Sequence, residues 1–541
     1  MTPWPRPRAL VATFGSCDGN ADPAAAFRIS PSRRRWVAGL SLLGVLLAGS
    51  VPTVSAEVVP VPATGRAVAS AVYRVTADGQ PVFTEKYKRD HCAWFSFSGT
   101  VSVAVEANGP VRSFTVSPRS AGIVATAEGS VLRLTLDRPR HLVITLNDGE
   151  RLFLFADAID PDAPQPGQPG VVSVLDFGVD PTGARLDTVR LQQAIDRVAA
   201  DRGTLYFPPG VYLTGTLLLK SNLTLHLAGG ALLLGSTRAD DYPVDAGDDS
   251  SRPPFDPATW KNEQGVDIAS MRTMAYRRLI FVDQARNVRV TGRGIIDGQG
   301  LLTRTVTCRP QLVHVRSSSQ VTFEGVTLRD PAMFNTNILA SDHVTYRNVK
   351  LINDTTVPNT DGFNPDGSQD ILADGCFFLG SDDSIAIKSS GQGGLLRDVE
   401  RVTIRRCLFI TRTTAMKLGT ESFAAFHRDI TFEDNDVVVA DRAINLSCMD
   451  GSTYENIRFV NIRVEKILPQ THFSRIISGQ VRKRTPTSRA GQMRNILIKD
   501  FAVAEENPRP SRLLGLADDH AISGVRFENY SIAGRVCLDP K

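Results

Sequence analysis

The feature that most constrains this chain is a short segment that recurs nine times at intervals of about 30 residues. Each copy has a polar residue or glycine, then Val or Ile, one further residue, and an aliphatic or aromatic residue. A period of this length without helical patterning is typical of a solenoid in which each repeat forms one coil. The Leu-x-x-Leu-x-Leu pattern of leucine-rich repeats is absent. We therefore predict a parallel β-helix, with strands of successive coils about 4.8 Å apart. The copies begin at Asn287, Gln320, His343, Asp370, Arg401, Asp429, Asn456, Asn495 and Gly524.

A second rhythm precedes the repeats. Apolar and polar residues alternate in short runs from about Val72 to Asp160. Such alternation, separated by turn dipeptides, predicts antiparallel hairpins, and we expect a small β-sandwich over residues 57–160. The turn dipeptides are Asp78-Gly79, Asn108-Gly109, Glu128-Gly129 and Asp148-Gly149.

The rest of the chain is divided by composition. Residues 161–170 are rich in Pro and Gly and are expected to form a linker. Residues 171–541 would form the β-helix, so the fold class is all-β. One helix is predicted, with Asp187 as N-cap and with Leu191 and Val198 on its apolar face, covering the N-terminal end of the coil stack.

Residues 1–56 have the features of an export signal. Basic Arg33, Arg34 and Arg35 precede an apolar run from Trp36 to Gly49, and the following residues suit cleavage before Glu57. That run is shorter than the roughly 20 residues needed to cross a bilayer. The arginines are similar to those of a twin-arginine signal. We therefore expect a secreted or periplasmic protein.

Charge and cysteine content exclude several classes of partner. The formal net charge of +4 is accounted for by residues 1–56, which carry six Arg and two Asp. The remainder is neutral, so nucleic acid and a membrane surface are not expected as partners. The expected partner is a polysaccharide, and we expect a monomer. The chain has no C-x-x-C pair, which disfavours a zinc ribbon or redox motif, and disulfide pairing stays open. Cys376 and Cys407 are expected to stack inside the solenoid.

Acidic residues concentrate in residues 359–367 and 380–388. Asp361 and Asp382 are 21 residues apart, close to one coil, so their side chains can stack on one face. Adjacent strand residues point to opposite faces, so Asp382 and Asp383 can share a cleft only at a bend, which we predict there. Clustered carboxylates raise one another's pKa and can keep one protonated, as glycoside hydrolysis requires. The alternative is that both segments are Asx turns at coil corners.

Five segments of residues 171–535 carry a family resemblance. They are Asp176-Phe177-Gly178-Val179, residues 207–212, residues 292–300, Asn359-Thr360-Asp361-Gly362 and the Asp382-Asp383 pair. Together they resemble the polygalacturonase-like enzymes of glycoside hydrolase family 28. The resemblance implies a right-handed parallel β-helix and inverting cleavage of an α-linked, galacturonic-acid-containing polysaccharide, with no metal or cofactor. By this resemblance Asp382 protonates the leaving oxygen, while Asp361 and Asp383 activate the attacking water.

Two motifs of that family are replaced in this chain. Arg412-Thr413-Thr414 stands where the family has Gly-His-Gly, and Asn445-Leu446-Ser447 stands where it has the Arg-x-Lys pair that engages the galacturonate carboxylate. His427 is expected to be structural or solvated. The residues expected to bind substrate instead are Asn359, Lys388, Arg412 and Lys417.

The replaced cations leave other functions open. The substrate could be rhamnogalacturonan, a dextran-like glucan or another plant or microbial polysaccharide. A polysaccharide lyase would need a calcium-binding acidic cluster and a cationic base. A non-catalytic, glycan-binding β-helix would use the acids only to close turns. The sandwich is similar to the accessory domain of dextranase-type enzymes, especially over residues 138–149, and we expect it to help frame the cleft.

Overall fold

A computed structural model describes residues 11–13, 56–244, 277–305, 308–469, 471, 473–486, 488–506 and 509–537. Apart from the strand Val11–Thr13 and Ala56, the predicted export signal lies outside these residues. Within them, no helix is long and apolar enough to cross a membrane.

The predicted β-helix is confirmed between residues 171 and 536. In the described part of the chain, one sheet has 11 strands and another has 21. Parallel pairing joins the coils, and Val11–Thr13 and Arg535–Val536 add antiparallel edges. The strands of the 11-stranded sheet are Val11–Thr13, Leu217–Leu219, Arg278–Asp283, Gln311–Arg316, Thr336–Leu339, Phe363–Asp366, Ile385–Ser389, Thr414–Ser422, Arg442–Cys448, Arg475–Val481 and Arg512–Leu514.

All nine repeats lie in the 21-stranded sheet, and their Val or Ile residues are in register from coil to coil. The first residue of every repeat has φ between 52° and 60°. This left-handed conformation favours Asn, Asp, His and Gly, which explains most of the residue types at that position. The strands are Val171–Ser173, Thr182–Leu186, Thr204–Phe207, Gly210–Thr214, Thr224–Leu227, Ala231–Gly235, Arg286–Gly292, Ile295–Asp297, Ser319–Glu324, Thr327–Arg329, Asp342–Arg347, Lys350–Ile352, Gln369–Asp374, Phe377–Gly380, Val399–Arg405, Leu408–Thr411, Phe426–Ala440, Thr453–Ile467, Gln492–Val503, Ile522–Ile532 and Arg535–Val536.

The predicted helix extends from Thr188 to Ala200 and buries Leu191 and Val198 in the core of the coil stack. Asp187 is at the N-cap position, but its side chain makes no capping hydrogen bond. Its carboxylate instead pairs with Arg185 at 2.8 Å and Arg190 at 3.1 Å. Short helical turns are Arg119–Ala121, Val174–Phe177, Ala239–Asp241, Gly300–Thr303, Gln392–Gly394 and Asp518–His520.

Two further sheets form the N-terminal sandwich. The turn dipeptides at residues 78–79, 128–129 and 148–149 each join paired antiparallel strands, as predicted. Asn108-Gly109 does not, because the strand after it pairs within the opposite sheet. One sheet contains Tyr73–Ala77, Gln80–Val82, Val101–Ala107, Ala125–Glu128 and Val131–Leu136; the other contains Val58–Pro60, Thr84–Tyr87, Asp90–Phe97, Phe114–Ser117, Arg140–Leu146 and Arg151–Ala158.

The sandwich packs on one side of the β-helix through an aromatic and aliphatic cluster that includes Phe153, Phe155 and Phe377. Buried ions reinforce this contact: Arg329, with its side chain 8% exposed, lies 2.9 Å from Glu85 of the sandwich and 2.6 Å from Asp297 of the β-helix. We propose that residues 57–160 and 171–541 are two domains, joined by residues 161–170.

Replacing Arg329 by Met should lower the free energy of unfolding by about 3–5 kcal/mol, because Glu85 and Asp297 would stay buried without their cation. Urea denaturation at neutral pH measures the difference. The matched control is Arg494→Gln, which breaks a more exposed ion pair with Glu455 and should cost less than about 1 kcal/mol. Equal effects of the two substitutions would contradict this account of the interface.

Candidate active site

The two acidic segments lie on adjacent coils, where strands of the 11-stranded sheet begin. Phe363 pairs with Ile385, and the Gly362 amide donates to the Asp383 carbonyl oxygen at 2.9 Å. The offset between the coils is therefore 22 residues. Continuing this register places Asp361 opposite Asp383 along the backbone, one residue from the expected position opposite Asp382, while the charge of Asp361 still acts on Asp382. The hydrogen bonds between the two backbone strands set this register, and the number of residues between the two aspartates does not.

The predicted bend is present at residues 381–384, between the strands Phe377–Gly380 and Ile385–Ser389. It is what allows Asp382 and Asp383 to serve one site. Gly362 on the preceding coil packs against this bend: a Cβ atom there would lie 2.5 Å from the Ser384 carbonyl oxygen. The glycine is therefore required by the close approach of the two coils.

Asp361 is 5% exposed and forms an ion pair with Lys388, whose Nζ lies 2.8 Å from Oδ2. Asn364 Nδ2 donates to the same oxygen at 3.1 Å. Lys388 also lies 3.8 Å from Glu421 Oε2 and 4.2 Å from the centre of the Phe334 ring. Burial lowers the pKa of Lys388, but the negative charges of Asp361 and Glu421 outweigh it and raise the pKa overall.

Asp383 is 4% exposed and pairs with Lys417, with Nζ 2.5 Å from Oδ2. Burial raises the pKa of Asp383, but the positive charges of Lys417 and Arg442 dominate and hold it below its ordinary value. Asp383 is therefore an ionised carboxylate in a site from which water is largely excluded.

Asp382 differs from its two neighbours because it is partly exposed. Its Oδ2 accepts a hydrogen bond from the backbone N–H of Asn359 at 3.2 Å, and its Oδ1 accepts one from the backbone N–H of Asp383 at 2.9 Å. Burial and the negative charges of Asp361 and Asp383 raise the pKa of Asp382 to about 6. The arrangement thus provides a carboxyl that can carry a proton, beside two carboxylates held by lysines.

The structure brings six of the seven predicted site residues together. Direct contacts link Asn359, Asp382, Asp383 and Lys417. Asp361, on the preceding coil, pairs with Lys388, and its charge acts on Asp382. Arg412 lies at the margin, with an exposed side chain whose Nη1 donates to the Thr355 carbonyl oxygen at 3.4 Å.

Sequence reasoning missed the groups that hold the loop before Asn359. Lys88 of the sandwich lies 3.2 Å from Asp354 and 3.4 Å from Asp330, and Arg304 donates to Asn359 Oδ1 at 3.1 Å. Lys88 is separated from Asp330 and Asp354 by more than 240 residues, so no local pattern could have indicated these contacts. The sandwich thus contacts a loop that leads into the site.

Two structural expectations are confirmed. His427 is fully buried, and its Nδ1 lies 2.8 Å from Ser452 Oγ. Burial lowers the pKa of His427 to about 3, so it is neutral at physiological pH. Cys376 and Cys407 are both buried within the coil stack and are free thiols.

Comparison with known families gives two matches. The model of glycosyl hydrolases family 28 matches residues 259–536, which is 278 of the 541 residues. A second model, described as rhamnogalacturonase A/epimerase, pectate lyase-like, matches residues 171–241. The acidic cluster, which we define as Asp361, Asp382 and Asp383, lies within the first match.

Individual relatives point the same way. A Vitis vinifera protein named "Probable polygalacturonase" is 29% identical over 278 residues, covering 48% of this chain and 54% of that protein. An exo-poly-alpha-D-galacturonosidase of Dickeya chrysanthemi is 36% identical over 133 residues, covering 24% of this chain and 20% of its own length. This chain therefore spans about half the length of the first relative and a fifth of the second.

Solved structures share the fold. A family 28 exopolygalacturonase from Yersinia enterocolitica has a TM-score of 0.53 at 17% identity, covering 80% of this chain and 90% of its own. Dex49A from Penicillium minioluteum has a TM-score of 0.53 at 15% identity, covering 88% of this chain and 91% of its own. The latter match extends over most of the chain.

Lys417→Met should destabilise the protein in a pH-dependent manner. In the wild type, the depressed pKa of Asp383 contributes stability above the unfolded value of about 3.8, and this contribution is lost as pH falls through the folded pKa. Without Lys417, burial raises that pKa, so the buried charge should cost about 3 kcal/mol at pH 7 and less near about pH 4. Urea denaturation at both pH values measures this.

Lys499→Met is the control, since Lys499 pairs with Glu528 on the exposed surface at 3.1 Å. We expect it to change stability by less than about 1 kcal/mol at either pH. A Lys417→Met penalty that is equal at both pH values would show that the cation is not holding a buried carboxylate.

Proposed function

Because this chain belongs to glycosyl hydrolases family 28, we propose that it hydrolyses an α-linked, galacturonic-acid-containing polysaccharide by general acid and base catalysis with inversion. The observation that carries the proposal is the contrast in the acidic cluster: the pKa of Asp382 is raised to about 6 while that of Asp383 is depressed. Two titratable groups whose pKa values are pushed apart are what acid and base assignments require.

The proposed reaction uses Asp382 as the general acid, and Asp361 and Asp383 activate the water. Asp382 donates its proton to the glycosidic oxygen as the bond from that oxygen to the anomeric carbon breaks. A water molecule attacks the anomeric carbon from the opposite face and transfers a proton to Asp383 or Asp361. The products are a new reducing end and a free hydroxyl on the leaving sugar. Exchange with solvent then restores the original protonation.

The cations beside the acids support an anionic substrate. Lys388 and Lys417 lie at the acidic cluster, Asn359 contacts Asp382, and Arg412 lies at the margin. These four residues are the proposed substrate-binding groups. Both lysines also form ion pairs with carboxyls of the protein, Lys388 with Asp361 and Lys417 with Asp383, so their first role is within the acidic cluster.

We further propose that the chain is exported through residues 1–56 and acts as a monomer, with no cofactor. The neutral balance of charge after residue 56 supports a partner that is a polysaccharide, without nucleic acid or membrane binding.

Asp382→Asn should abolish hydrolysis, because an amide cannot donate the required proton; general acid contributions are typically about 10²–10⁴-fold. We would measure reducing-end release from polygalacturonate, rhamnogalacturonan, dextran and pullulan, using the protein from Glu57 onward. Asp429→Asn, at an exposed corner of the 21-stranded sheet, is the matched control and should retain full activity. Release from dextran alone would replace the proposed substrate, and equal activity of Asp382→Asn would exclude the proposed acid.

The pH dependence of kcat/KM should reflect the protonated form of Asp382. Since its pKa is about 6, activity should fall as pH rises above about 6, where the acid loses its proton. Lys417→Met should move this alkaline limb to higher pH, because Lys417 lowers the pKa of Asp382. A wild-type profile that is flat between about pH 5 and about pH 8 would contradict the assignment.

A further inference from the structure

Arginines continue the line of the acidic cluster along the next coils. Strand pairing places Ile385 beside Met416, Met416 beside Ile444, and Ile444 beside Ile477. Two positions before each of these lie, in order, Asp383, Thr414, Arg442 and Arg475. The same edge of the 11-stranded sheet that holds the acids therefore holds arginines two and three coils further on.

The next coil extends this series. Ser478 pairs with Arg512, and continuing that register backwards brings Arg509 opposite Arg475. Arg512 also lies in a second column, in which Lys417, Asn445 and Ser478 pair in turn before it and Thr13 pairs beyond it. We call Arg442, Arg475, Arg509 and Arg512 the arginine ladder. Arg442, Arg475 and Arg509 lie on successive coils, about 4.8 Å apart from strand to strand, and Arg512 lies on the same coil as Arg509.

The ladder is accessible to a ligand. Arg442 has 19% of its side chain exposed, Arg475 is half-buried, and Arg509 and Arg512 are exposed. Phe473, 54% exposed, lies beneath the Arg442 guanidinium at 6.0 Å. An accessible aromatic face beside cations is a surface on which a sugar ring can stack while its charged group is bound.

Electrostatics favour an anion on this surface. Asp441 lies 3.5 Å from Arg442 Nε. Asp441 is buried and also accepts hydrogen bonds from Ser474 and Thr471. Burial and the like charges of Arg512, Arg509 and Arg442 lower the pKa of Arg475, which Asp441 only partly offsets. A bound carboxylate would relieve this repulsion.

We propose that the arginine ladder is a binding site for carboxylate-bearing sugar units of the substrate, starting about two coils beyond Asp383. This inference rests on the proposed function, because it assigns an anionic polymer to the same cleft. It also accounts for the neutral Asn445 and Ser447. The cations that would engage sugar carboxylates are Arg442, at the start of the same strand, and the ladder arginines of the following coils. A polymer with a carboxylate on each sugar can contact several guanidinium groups at once.

The test measures binding separately from hydrolysis. Asp382→Asn is used as the parent, and its affinity for polygalacturonate is measured by isothermal titration calorimetry in the parent and with Arg475→Gln or Arg512→Gln added. Each substitution should weaken binding by about tenfold, and the loss should shrink at high salt. Fully methyl-esterified polygalacturonate, which lacks free carboxylates, should bind weakly to the parent and to all variants alike.

Arg475→Lys should recover part of the affinity, and an unchanged thermal unfolding midpoint would show that Arg475→Gln folds normally. Arg458→Gln, exposed on the 21-stranded sheet, is the matched control and should bind as the parent does. Unchanged affinity in both ladder variants, or equal losses for the esterified polymer, would overturn the inference. Wild-type inactivity on every pectic polymer, with ladder-dependent binding intact, would overturn the proposed reaction and leave the ladder standing.

Discussion

The parallel backbone ladder between coils is the constraint on which the rest of this structure depends. Its register places an aliphatic residue of every repeat over the corresponding residue of the next coil, from Val288 to Val525. A slip of one residue would turn the interior side chains outward. The buried core therefore sets the register, and each coil corner is placed by the strands on either side of it.

That constraint explains how three carboxylates can share one corner. Asp361 and Asp383 meet because their coils are offset by 22 residues, and lysines at nearby strand positions neutralise them. Each lysine lies in a strand, Lys388 in Ile385–Ser389 and Lys417 in Thr414–Ser422, so its position is set by the same ladder. The two lysines pair with Asp361 and Asp383, and the negative charges of these two residues raise the pKa of Asp382.

The sandwich adds contacts that the solenoid alone does not have. Its Lys88 reaches two carboxylates at the corner before Asn359, and Tyr87 donates a hydrogen bond to Asp330. Burial and the negative charge of Asp297 raise the pKa of Asp330 to about 6. The interface is therefore both apolar and charged, and it extends from the packed aromatic cluster to the loop that positions the Asn359 amide.

The sequence by itself determined the β-helix, the covering helix and the position of the acidic cluster, because period, apolar alternation and turn residues are local properties. It also indicated the bend at Asp382, since adjacent strand residues cannot otherwise face one cleft. Only the tertiary structure decided that Asp361 pairs with Asp383, that Asn108-Gly109 joins two sheets, and that Lys88 and the arginine ladder flank the site. These depend on the lengths of corners and on contacts between distant residues, which are set by packing and leave no local pattern.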